Sequence, residues 1–169
     1  MIWLEKAKQY IGLTEVKGAG HNPKILEFWK TIKLGGIKDD ETSWCAAFVG
    51  AVLENCGIRS TRKENARSYE HWGVKLDEPV EGAIVVFWRY NPKGIYGHVG
   101  FVAGRDQAGN LMVLGGNQGD KVSVRPFSTE RVLCYRWPAV TAFEARFGKP
   151  GLENLPLISS DGKLSTNEA

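Results

Sequence analysis

At Gly73 the texture of the chain changes, and that change limits the folds open to it. Upstream, apolar residues recur at helical spacing: Ile2, Trp3, Leu4, Ala7, Tyr10 and Ile11 in "IWLEKAKQYIG", then "NPKILEFWKTI", then "SWCAAFVGAVLENCG". Asn22 and Pro23 suit the start of the second run, and Gly12 and Gly57 suit the ends of the first and third. A shorter helix is expected over "ENARSYEHW". Downstream come "GAIVVFWRY", "GHVGFVAGR", "NLMVLGGNQ", "KVSVRPF" and "RVLCYRW", short runs rich in Val, Phe, Tyr and Leu with Gly, Asn or Pro between them. Their connections are too short for crossovers, so they predict about five mostly antiparallel strands. Helices first and sheet second make an α+β fold. Residues 1–146 read as one domain and 147–169, "GKPGLENLPLISSDGKLSTNEA" with its preceding Phe, as an extended C-terminal tail or linker stub.

Composition excludes several functions. The 169 residues are 43% hydrophobic, enough for one real core, and the net charge is only +3 with no basic run. A nucleic-acid surface is not indicated. No apolar run is long enough to span a bilayer, so no integral membrane contact is expected, and the start "MIWLEKAKQY" lacks the pattern of a signal peptide. The chain is expected to be a monomer made in the cytoplasm and to reach any outside target by release or delivery through another factor. The three cysteines, Cys45, Cys56 and Cys134, form no disulfide framework and no C-x-x-C metal motif.

Cys45 is the residue with two readings. With Ser43 as N-cap it falls in the first turn of a helix, where the dipole lowers a thiol pKa and orphan N–H groups face outward. Asp39, Asp40 and Glu41 lie near the same positive end. Yet Cys45 also sits on the apolar stripe with Phe48, Val49, Val52, Leu53 and Cys56, and taken alone it reads as core. A partner is needed to change that. Of three histidines, His21 is in a Gly-rich loop, His71 is on a surface helix, and His98 opens the strand "GHVGFVAG". Gly100 and Gly104 share the His98 face and leave space a substrate could use, or serve twist or a bulge. If Asp106 to Gly109 form a hairpin loop and Arg105 pairs with Asn110, Asn117 falls opposite His98. Directly opposed β-carbons lie about 5 Å apart, so the Asn117 oxygen would take one imidazole proton and Gln118 would face away. Cysteine, histidine and asparagine in this order make a thiol-hydrolase triad.

At these residues the blocks "DDETSWCAAFVGAVLENCGI", "GAIVVFWR", "GHVGFVAG", "VLGGNQGDKVSV" and "YRWP" resemble the CHAP and NlpC-type peptidoglycan hydrolases, above all a compact branch found in phage endolysins. "GHNPKILEFW" fits the same branch. The resemblance implies a papain-like fold, Cys45 as nucleophile, His98 as base and Asn117 as third group, with no metal or other cofactor. It implies amide hydrolysis in the peptide part of bacterial peptidoglycan, as an amidase or an endopeptidase. Two other uses of the fold remain open: a silent wall-binding module, and an acyltransferase or deamidase effector. Around the triad, Trp44 either lines the cleft or packs on the sheet, and Trp72, Trp88, Tyr90 and Tyr96 offer aromatic platforms or plain packing. The "YNPKGIYG" loop, with Tyr96 and Gly97 at its end, is placed to border the cleft. Cys56 and Cys134 read as packing thiols.

Overall fold

A computed structural model describes residues 1–139 and 150–166. The boundary expected at 146/147 lies outside them. Helices α1 (Ile2–Lys8), α2 (Pro23–Thr31) and α3 (Cys45–Asn55) precede strands β1 (Val74–Leu76), β2 (Ile84–Trp88), β3 (Gly97–Arg105), β4 (Leu111–Gly115), β5 (Ser123–Phe127) and β6 (Val132–Trp137). The strands form one sheet in the order β1-β6-β2-β3-β4-β5, every pair antiparallel. This is the α+β arrangement expected, with six strands rather than about five. The additional one, β1, has only three residues and pairs at the edge with β6, so it carries too little alternation to be read from sequence.

Helix α3 is the central element. Every residue from Cys45 to Leu53 is buried, so it is enclosed on all sides rather than along one stripe. Helices α1 and α2 cover its outer side, and β3 and β4 lie against its inner side. Phe48 joins the layers: its ring meets Tyr10, Phe28 and Phe101 edge-on at 5.6–6.3 Å. Each such buried side chain contributes roughly 1.5–3 kcal/mol by leaving water. Helix α2 starts as expected, with Asn22 Oδ1 accepting from Lys24 N at 2.9 Å and Pro23 in the first turn. The run "ENARSYEHW" forms a single short 3-10 helix over Ala66–His71.

The C-terminal segment is extended but held. Pro156 O accepts from Arg105 N at 2.8 Å, and Ile158 N donates to Arg105 O at 2.7 Å. Leu155 is buried in the core, Ser160 Oγ donates to Asp106 at 2.7 Å, and Ser165 N donates to Pro126 O at 2.8 Å. Gly104 makes room for this segment: a β-carbon there would collide with Pro156 O. Residues 150–166 are thus tied to the sheet through Arg105, Asp106 and Pro126.

Candidate active site

Cys45 is the first residue of α3, so its side chain stands at the positive end of the dipole. The N-cap position belongs to Trp44, without a side-chain cap bond, and this corrects the expectation for Ser43. Ser43 is instead turned to the sulfur. The Cys45 thiol is 2% exposed and opens on a cleft of about 640 Å³. Burial pushes its pKa up. That effect is outweighed by the hydrogen bond and charge of His98, the Val99 N–H and the Ser43 hydroxyl, so the thiol lies below its ordinary value. Burial is the largest effect on Cys56 and Cys134 and raises both pKa values, against the lowering by Lys6 at Cys56 and by Arg136 at Cys134.

His98 is fully buried on β3. Its ring stacks on Phe127 at 5.2 Å, nearly parallel at 3°, with Phe87 further along at 6.4 Å. Stacking fixes the ring plane, and a hydrogen bond fixes the rotation within it: Nε2 lies 2.9 Å from Gln118 Oε1. The Gln118 amide has no freedom to turn over. Its Nε2 donates to Val113 O at 3.1 Å and to Ser123 O at 2.8 Å, so Oε1 must face the histidine. Gln118 Oε1 is an acceptor only, so His98 Nε2 carries the proton, and Nδ1 is left to meet the thiol.

The side chain that meets His98 Nε2 is thus Gln118 rather than the expected Asn117, and the reason lies in where β4 stops. The register between β3 and β4 shifts between Val102 and Gly104, and the numbering then matches the expected pairing at Phe101 and Leu114. The ladder ends at Gly115. Asn117 adopts a left-handed backbone (φ 59°), which breaks the alternation that would have aimed it at His98. Gln118 is carried back over Gly115, where a β-carbon would collide with its Oε1. Asn117 is buried beside the site in another role: its Nδ2 donates to Ser43 Oγ at 3.3 Å, which leaves the Ser43 proton to point at the sulfur. The expectation that Gly100 leaves substrate space also fails, because the Val113 side chain and Leu114 carbonyl fill it. The cue within reach of sequence was "GGNQGD", whose Gly, Asn and Asp mark a turn rather than a strand end.

Of the four residues expected to bind substrate, Trp44, Trp72, Tyr96 and Gly97, the last two line the cleft. Tyr96 and Gly97 form its wall with Tyr90, Ile95 and Arg89, and Glu41, Thr42 and Glu64 stand elsewhere along it. Trp44 is buried, with Nε1 donating to Glu15 at 2.6 Å and its ring against Gly116. Trp72 packs on Tyr69 and donates to Arg59 O at 2.9 Å. Both tryptophans are packing residues. Asp40 is not a helix-end charge either: fully buried, it accepts from Val16 N and Asn22 N and meets His21 Nδ1 at 3.1 Å, tying the loop before α2 to the loop before α3. Among the described residues no three His, Cys, Asp or Glu side chains converge as a metal site would need, and no helix is long and apolar enough to cross a membrane.

The electrostatics give a measurable result. Thiolate is the reactive form, so a lowered pKa keeps Cys45 reactive as pH falls through the range where an ordinary thiol protonates. Iodoacetamide alkylation followed by peptide mass spectrometry should show Cys45 labelled at neutral pH, with its rate dropping only at lower pH. Cys56 and Cys134 should need alkaline solution. A Cys45 profile that rises only at alkaline pH would contradict the His98 contact.

Two comparisons with known proteins find matches. Residues 37–117 match the family model of the CHAP domain, a peptidoglycan-hydrolase type of domain. The matched stretch holds Cys45 and His98 and ends one residue before Gln118. Among solved structures, the chain is similar to a lipoprotein-like protein of the NLP/P60 family from Staphylococcus aureus, with 16% identity and a TM-score of 0.46. The alignment covers 80% of this chain and 40% of that one. No curated protein matches the chain.

Proposed function

We propose that this chain carries the catalytic domain of a cysteine hydrolase that cuts an amide bond in the peptide part of bacterial peptidoglycan. The observation carrying this reading is the relay from Gln118 through His98 to Cys45, ending at an open cleft. A buried histidine clamped on one nitrogen and facing a helix-start thiol on the other is more than packing requires. In this mechanism His98 and Cys45 form an imidazolium–thiolate pair, and the thiolate attacks the carbonyl carbon. The carbonyl oxygen becomes an oxyanion beside the first N–H groups of α3. Phe48 N is bonded to Trp44 O at 2.9 Å, whereas the N–H groups of Cys45, Ala46 and Ala47 precede any intrahelical acceptor. His98 gives its proton from Nδ1 to the leaving amine. It then takes one from water, which attacks the thioester and releases the carboxylate. Gln118 holds the tautomer throughout, and Ser43, steadied by Asn117, donates to the sulfur when it is anionic.

Mass spectrometry of purified peptidoglycan digested by the protein tests this reading. Soluble fragments should carry new amine and carboxylate ends in equal amounts, with activity unchanged in EDTA. A new amine on L-Ala identifies an amidase, and one within the stem or cross-bridge an endopeptidase. Fragments bearing only new sugar ends, or no fragments at all, would overturn the proposal.

A further inference from the structure

Beside Cys45 stands a wall of large side chains that are unusually open to solvent: Tyr90 is 78% exposed, Ile95 75% and Tyr96 60%. They sit on the connection between β2 and β3, and Tyr90 and Tyr96 meet edge-on at 5.9 Å. The connection's own bonds close local turns: Arg89 N donates to Tyr96 O at 3.1 Å, Asn91 N to Arg89 O at 2.7 Å, Gly94 N to Asn91 O at 3.0 Å, Lys93 N to Asn91 Oδ1 at 2.9 Å and Arg89 to the Tyr90 hydroxyl at 3.0 Å. Tyr90 holds a left-handed backbone (φ 63°), and none of these bonds ties the connection to another element. Left to itself, such a segment would have to be ordered each time a substrate bound.

One side chain from outside the connection fastens it. Arg67, on the 3-10 helix, donates from Nε to Tyr96 O at 2.9 Å, from one terminal nitrogen to Pro92 O at 2.9 Å, and from the other to Asn91 O at 2.8 Å. Its side chain is 11% exposed, and it also lies 3.6 Å from Glu70. Three carbonyls on a guanidinium fork fix position and direction together, which a lysine ammonium cannot do. Gly97 makes room for it, since a β-carbon there would meet the Arg67 stem and Phe87 O.

We infer that Arg67 is a positioning residue: it holds the Tyr90–Tyr96 wall in its binding form and so sets affinity for the peptide part of the substrate. This rests on the reading of the cleft as the substrate site. The bonds of Arg67 run to Tyr96, Pro92, Asn91 and Glu70, away from the thiol, so its loss weakens binding and leaves the thiol intact.

The test compares the native chain with Arg67→Met and Arg67→Lys on soluble peptidoglycan fragments. KM should rise about tenfold in Arg67→Met and less in Arg67→Lys, with kcat within about twofold. Iodoacetamide should label Cys45 at the native rate in both, and trypsin should cut after the exposed Lys93 faster. Unchanged KM, or an iodoacetamide rate falling in step with kcat, would overturn the inference. If the native chain cuts no peptidoglycan, the proposed function fails separately. Arg67 is then judged with benzyloxycarbonyl-Ala-Ala chloromethyl ketone, a saturable inactivator of Cys45. Its half-saturating concentration should rise in Arg67→Met, and an unchanged value would overturn the inference.

Discussion

Cys45→Ala is expected to lower peptide release from peptidoglycan by about four orders of magnitude or more, because nothing else in the cleft replaces a nucleophile whose loss disables the whole relay. The protein should remain folded. The substitution removes one sulfur from a buried site and leaves the Phe48 cluster, the sheet and the Gln118 amide bonds in place. Removing a buried heavy atom costs about 1 kcal/mol, which for a domain of this size moves the melting temperature by about 2–4 °C. Cys45→Ser is the informative companion. A hydroxyl can accept from Ser43 and Val99 as the sulfur does, but it does not ionise, so this variant should be as inactive as alanine at native stability. Retained hydrolysis in either variant, with unchanged products, would remove Cys45 from the mechanism. Loss of activity together with loss of folded signal in both would instead return it to a core role.

The two readings of Cys45 both describe real properties. It is buried as deeply as the core residues beside it, and it is also the first residue of a helix whose start faces the cleft. Burial and reactivity are compatible here because Val99, Ser43 and His98 supply the solvation that water would give a thiolate. Sequence carried the helices and five of the six strands, since these depend on periodicity and turn residues. Three things were not legible. Strand β1 is stabilised by its partner β6 rather than by its own three residues. The tryptophans Trp44 and Trp72 sit near the site in sequence, but sequence does not say which side of a wall a ring occupies. The packing of residues 150–166 depends on main-chain bonds to Arg105 and Pro126, and main-chain bonds leave little mark on composition.

The exchange of Asn117 for Gln118 beside His98 shows the same limit at the proposed catalytic centre, and it can be decided by mutation. Strand alternation was extended two residues past the true end of β4, and a left-handed residue there reverses every later direction. Gln118→Ala should cut kcat by about 10²-fold, less than the four orders lost when the Ser-His-Asp template holds the wrong tautomer, because stacking on Phe127 still fixes the ring plane. The sign of the pH effect separates positioning from simple damage. Gln118 Oε1 accepts from His98 Nε2 and so favours the imidazolium, which in turn favours the thiolate. Removing it weakens the pair, raises the Cys45 pKa and moves the alkylation profile to higher pH. Asn117→Gly keeps the left-handed backbone unstrained while removing the side chain and with it the bond to Ser43, and it should cost less activity than Gln118→Ala. Its alkylation profile should move less than that of Gln118→Ala. If Asn117→Gly proves the more damaging variant, or if Gln118→Ala leaves the alkylation profile in place, Gln118 is a packing residue and the orienting role passes back to Asn117.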